Sequence, residues 1–197
     1  GSSATLVING NVQGNDNASL QFDSAVELQA NVTSSANLID FNGNLEIGAN
    51  VSFDSTDGGA QPLGADISFS TVEADLAASS RALTINAGST GDLNVQGALG
   101  ATESLGLLTI TNANDVDFDS SLVASGLTQV AGVGTSTFAQ ALTTNGASGL
   151  DLTGNMFQFM GAVTTTGGGD VEVTNAGVLT FASAANLNLN GSFLQNG

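Results

Sequence analysis

Three aspartates at alternate positions, in Asp115-Val116-Asp117-Phe118-Asp119, are the densest set of groups in this chain that could do chemistry. Alternate residues of a strand share a face, so the three carboxylates project outward about 7 Å apart. Paired carboxylates at such separations serve glycoside hydrolysis, one as acid and the other as base or nucleophile. That chemistry needs burial to raise the pKa of the acid. A convex, solvated strand is expected to supply none. The chain also has no Trp or Tyr to form a sugar platform.

The same residues, with Asn112 and Asn114 beside them, are candidates for calcium binding at millimolar affinity. An EF-hand frame opening at Asp115 would need Gly at position six and Glu at position twelve. Ser120 and Gly126 stand there instead. Gly167-Gly168-Gly169-Asp170 partly matches the calcium-binding nonapeptide repeat, but it occurs once. No specific site emerges, so calcium remains a weak expectation on Asp115, Asp117 and Asp119.

The rest of the chemical inventory is sparse. His and Cys are absent, which removes Ser–His–Asp triads, Cys–His dyads and soft-metal sites. No Lys follows a Gly, so there is no phosphate-cradling loop. Arg81 is the single basic residue and reads as a surface or partly ion-paired side chain. No catalytic residue is assigned, and the chain is read as not an enzyme, with no cofactor beyond weak Ca²⁺. Its net charge of −17, from 18 acidic residues and one basic, repels nucleic acid and anionic membranes. No apolar run of about twenty residues is present to span a membrane.

The more informative pattern is a repeat. An apolar residue, a free position, two small or polar residues and a second apolar residue recur as Ile8–Val12, Leu28–Val32, Ile47–Val51, Val95–Leu99, Phe118–Leu122, Phe138–Leu142 and Phe159–Val163. The start positions differ by 20, 19, 48, 23, 20 and 21, and the 48 is read as two periods with a degenerate copy near Ile67–Leu76. Between the corners lie short alternating runs such as Leu83-Thr84-Ile85, Leu108-Thr109-Ile110 and Leu187-Asn188-Leu189, the pattern of strands with one buried face. Val72–Ala78 is expected to be a strand or an irregular corner rather than a helical turn.

A period near twenty without a helical stripe indicates an all-β parallel β-helix, a β-solenoid of about nine rungs and about 40–45 Å in length. One domain over residues 1–197 is expected, with a loop insertion at Asp54–Gly64. Phe118, Phe138, Phe159 and Phe181 share one repeat position, which predicts a buried Phe ladder on one inner wall. Thr143/Thr164, Thr144/Thr165 and Thr153/Thr174 also align and are expected to face outward.

The phrase Gly169-Asp170-Val171-Glu172-Val173-Thr174-Asn175-Ala176-Gly177-Val178-Leu179-Thr180-Phe181-Ala182-Ser183-Ala184-Ala185-Asn186-Leu187-Asn188-Leu189 resembles the repeats of filamentous-haemagglutinin-like exoproteins. Autotransporter passengers read alike. The resemblance runs loosely over most of the chain and is sharpest in residues 141–193. It implies a right-handed parallel β-helix, secretion to the bacterial cell surface, and a role in adhesion or surface fibres.

On this reading the chain is a structural segment of an extracellular fibre or stalk. Leu6-Val7-Ile8 opens and Leu187–Phe193 closes in mid-pattern, and Gly1-Ser2-Ser3 reads either as an appended remnant or as a cut inside a longer chain. The expected partners are therefore a second copy, or more of the same chain, at the solenoid ends. The alternative is an adhesin module that binds a glycan or receptor through Asp54–Gly64.

Overall fold

The alternating runs form short strands, and each pairs with the run one turn away instead of with its chain neighbour. The computed structural model describes residues 4–76 and 80–197. Among these residues there is no helix, and the chain coils as a parallel β-solenoid of about nine turns, roughly 21 residues each. Gly1–Ser3 and Ala77–Ser79 lie outside the described residues. Val72–Ala74 is a strand.

Each turn has three sides. The first turn supplies Thr5–Ile8, Val12–Gly14 and Leu20–Phe22, and the second supplies Ala25–Leu28, Val32–Ser34 and Ile39–Phe41. Stacking these sides makes three sheet faces. On the first face the inward column runs Leu6, Val26, Leu45, Val72, Leu99, Leu122, Leu142, Val163 and Leu187. The stretch of chain between successive members is uneven, shortest from Val26 to Leu45 and longest from Leu45 to Val72 and from Val72 to Leu99. The sides nevertheless stay in register, because the corners absorb the insertions. A slip of one residue would turn every apolar side chain outward, so register is held by the core and not by turn length.

This register corrects the reading of the long interval from Ile47 to Val95. Ile47-Gly48-Ala49-Asn50-Val51 turns the chain from the first face to the second. Val95-Gln96-Gly97-Ala98-Leu99 turns it from the third face to the first. The interval is one full turn plus the next two sides, lengthened by insertions at 55–66 and 75–82. The phrase looks alike at both corners because both make the same demand: an inward apolar residue, a tight turn, and another inward apolar residue.

The third face carries the aromatic column. Phe22, Phe41, Phe69, Val95, Phe118, Phe138, Phe159 and Phe181 occupy successive levels. Phe118, Phe138, Phe159 and Phe181 stack with centroids 5.3, 5.0 and 5.1 Å apart. Phe22 stacks on Phe41 at 4.4 Å. Phe181 is only half-buried because it belongs to the last level of its face. Each fully buried Phe or Leu contributes about 1.5–3 kcal/mol, so the stability is spread along the column.

Side-chain acceptors stitch one corner to the next. Asn11 Oδ1 accepts the Asn31 N–H at 3.1 Å, Asn31 Oδ1 the Ser52 N–H at 2.9 Å, and Asn50 Oδ1 the Ala82 N–H at 2.9 Å. These Asn are the fourth residues of the repeated phrase. They satisfy backbone donors that turn away from the ladders.

Candidate functional site

The three aspartates of the acidic strand have three different environments. Val116–Phe118 is a strand of the third face, and only Asp117 sits on its outer side. Asp115 is at the preceding corner, where its Oδ1 accepts the Thr135 N–H of the next turn at 2.6 Å. Two turns below do likewise: Asp92 Oδ1 accepts the Asp115 N–H at 3.1 Å, and Asp66 Oδ1 the Asp92 N–H at 2.9 Å. Asp119 is exposed on the next corner. Among the described residues, no group of three or more carboxylates is placed to hold a metal ion.

Asp117 overturns one expectation. Its place on a convex strand predicts a solvated carboxylate, yet burial pushes its carboxyl above the usual range. The Thr137 hydroxyl opposes this by hydrogen bonding, while Asp115, Asp119 and Asp92 add like-charge repulsion in the same direction as burial. The cause is local: Thr137 stands directly beside Asp117 in the next strand, so the carboxylate is half-buried against a side chain.

A second carboxylate set, not singled out from the sequence, lines a groove of about 540 Å³ on the outside of the first face. Glu27, Glu46 and Glu73 occupy the same outward position on successive strands. Thr5, Asn44, Thr71 and Thr102 complete the walls. Glu73 accepts the backbone N–H groups of Thr102, at 3.1 Å, and Glu103, at 2.9 Å. The signal lies in Val26-Glu27-Leu28, Leu45-Glu46-Ile47 and Val72-Glu73-Ala74. Spacing alone hides it, because the insertion at 55–66 lengthens the path from the second copy to the third.

The 54–64 segment is a built corner. Asp54 Oδ1 accepts the Thr56 N–H and hydroxyl at 2.8 and 2.6 Å, and Asp54 Oδ2 accepts the Gly58 N–H at 3.0 Å. Ser55 Oγ both donates to the Ala65 carbonyl and accepts the Ala65 N–H. The next turn docks on it, with the Thr90 N–H on the Leu63 carbonyl at 2.9 Å. Gly64 and Gly88 both have positive φ, and a Cβ on either would run into the other loop's backbone. Gly58–Leu63 remain exposed.

Arg81 makes a two-pronged pair with Asp75, Nε to Oδ1 at 2.6 Å and Nη2 to Oδ2 at 2.9 Å. Its guanidinium holds the Asp75 carboxyl below the ordinary carboxylate range. The threonine pairs align in register. Thr143, Thr164, Thr153 and Thr174 face outward, but Thr144 and Thr165 are buried, which corrects their expected outward placement. They occupy the inward side of the first face, two positions beyond Leu142 and Val163.

The two ends are the remaining surfaces. Leu6 and Leu187 belong to the inward column yet are 46% and 39% exposed, as is Phe193 at 41% on the second face. Ile8, Val12, Leu20, Phe22, Leu179, Phe181 and Leu189 are half-buried behind them. Charged side chains run from Asp16, in the first turn, to Glu172, so the last levels of the three faces, Leu179–Phe181, Leu187–Asn188 and Phe193–Asn196, carry none. Comparison with protein-family models, curated proteins and solved structures finds no match for this chain.

Proposed function

We propose that this chain is a structural segment of an extracellular or cell-surface β-solenoid fibre or stalk, with further solenoid covering its ends. The carrying observation is the pair of end turns, which present inward-column residues such as Leu6 and Leu187 to water. Unpaired strand edges and an open core are a template for more solenoid. The last levels, Leu179–Phe181, Leu187–Asn188 and Phe193–Asn196, carry no charged side chain, which supports the reading because covering them desolvates no side-chain ion. The resemblance of Gly169–Leu189 to filamentous-haemagglutinin-like repeats supports a bacterial surface setting. The covering solenoid is a second copy or more of the same polypeptide. Negative-stain imaging and light scattering over a concentration series test the reading. End-to-end rods are the expected result; monodisperse monomers at high concentration would overturn self-assembly.

A second reading is an adhesin module that meets a glycan or receptor through the 54–64 corner. Leu63, 60% exposed on an otherwise well-bonded loop, favours it. A glycan array comparing the chain with a variant lacking Gly58–Gln61 tests it: binding that disappears with the loop supports contact there, and no binding by either removes it.

A further inference from the structure

The chain holds one Arg and no Lys. A protease that recognises basic side chains, as trypsin does, therefore has a single bond to cut in it, Arg81–Ala82. Such an enzyme draws the guanidinium into an acidic pocket, attacks the Arg81 carbonyl carbon and takes the carbonyl oxygen into its oxyanion hole. Water adds across the bond: the carbon gains the oxygen, and the Ala82 nitrogen leaves as an amine with the added proton.

Each of these groups is already held by the fold. The Arg81 carbonyl accepts the Gly106 N–H of the next turn at 2.7 Å. A Cβ on Gly106 would stand 2.8 Å from the Arg81 carbonyl carbon, so the backbone of that turn lies directly against the atom to be attacked. The Ala82 N–H donates to Asn50 Oδ1 of the turn before at 2.9 Å, and the Ala82 carbonyl accepts the Val51 N–H at 3.1 Å. The guanidinium is forked onto the Asp75 carboxylate, and the Arg81 side chain is only 25% exposed. The bond is clamped between two turns, and the side chain that a protease must read is engaged with a counter-charge.

We infer that the coil guards its single basic cleavage point, with Asn50 holding the leaving nitrogen and Asp75 holding the recognition side chain. Cleavage waits on a local opening in which Ala82 parts from Asn50 and Arg81 parts from Gly106 and Asp75. Its rate follows the population of that open form. The guard acts within one copy and needs no assembly. A cut here does not part the coil, because all three faces bridge the two fragments: Val51–Asp54 pairs with Leu83–Asn86, Ile67–Phe69 with Leu93–Val95, and Val72 with Leu99.

Limited digestion with trypsin tests the inference. A glutamate-specific protease serves as the monitor of global unfolding, since Glu27, Glu46, Glu73 and Glu172 lie within strands. The native chain should resist trypsin, and the chain unfolded in urea should be cut at once into residues 1–81 and 82–197. Asn50→Ala should be cut about five- to tenfold faster than the parent, and Asp75→Ala faster by a smaller factor, with cleavage at the glutamates unchanged. The two fragments should migrate together on a native gel. A native chain cut at Arg81 as fast as the unfolded one overturns the inference. So do variants cut no faster than the parent, a parallel rise in cleavage at the glutamates, or fragments that separate on the gel.

Discussion

Phe138 and Phe159 stack 5.0 Å apart and 6° from parallel, although a full turn of the coil separates them in the chain. Phe118 and Phe181 extend the stack on either side. Phe138→Ala should cost about 3–5 kcal/mol, since it opens a cavity between two rings that cannot collapse onto each other while the ladders hold. A double-mutant cycle with Phe159→Leu should return a coupling of about 0.5–1.5 kcal/mol in urea unfolding. Additive losses would show that the rings merely share the core.

Asp115 serves as a corner acceptor, and its charge is incidental to that role. Asp115→Ala leaves the half-buried Thr135 N–H unpaired and should lower stability by about 1–2 kcal/mol. Asp115→Asn keeps an oxygen in place and should lose much less. The Asn residues at the other corner already do this job. Equal losses from both variants, measured by thermal unfolding, would contradict the role.

Asp117 predicts the direction of the pH dependence. Its folded pKa is raised above the unfolded value of 3.8, chiefly by burial. Between the two values the folded state binds more protons than the unfolded state, so stability falls as pH rises through this window. Acidification from neutral pH should therefore stabilise through this group, completely so below the unfolded pKa. Asp117→Asn should raise the melting temperature at pH 7 and flatten the curve below it. Asp75 works in the opposite sense: Arg81 lowers its pKa, and that contribution is lost on acidification. An Asp117→Asn variant less stable than the parent at pH 7 would overturn the assignment.

Among the described residues, the buried Thr144 hydroxyl has no hydrogen-bond partner. Val has nearly the same shape and no polar atom to desolvate. Thr144→Val should stabilise by about 1 kcal/mol. Thr165→Val should not gain as much, because the Thr165 hydroxyl accepts the Asn190 N–H at 2.8 Å. Denaturant midpoints of the two variants give the comparison.

Much of the solenoid is legible in the chain because its determinants are local. Leu108-Thr109-Ile110 shows period-two alternation within one short run, and Gly, Asn and Asp mark the corners. The Phe118, Phe138, Phe159 and Phe181 positions are readable because turns in that stretch have nearly constant length. Phe22, Phe41 and Phe69 belong to the same column but are not visible as such. The 55–66 corner stretches the interval from Phe41 to Phe69, and a spacing rule cannot separate a long corner from a missing copy.

From sequence alone follow the strand class, the parallel repeat, the small-residue corners and a chain whose charge is confined to residues 16–172. Tertiary structure alone decided which corner each phrase serves, and that Thr144 and Thr165 point inward. It also placed Asp115 against the Thr135 N–H and aligned Glu27, Glu46 and Glu73 along one groove. The physical reason is that cross-turn hydrogen bonds and core volume choose register between positions a whole turn apart, while each insertion changes that distance without leaving a mark in the local pattern.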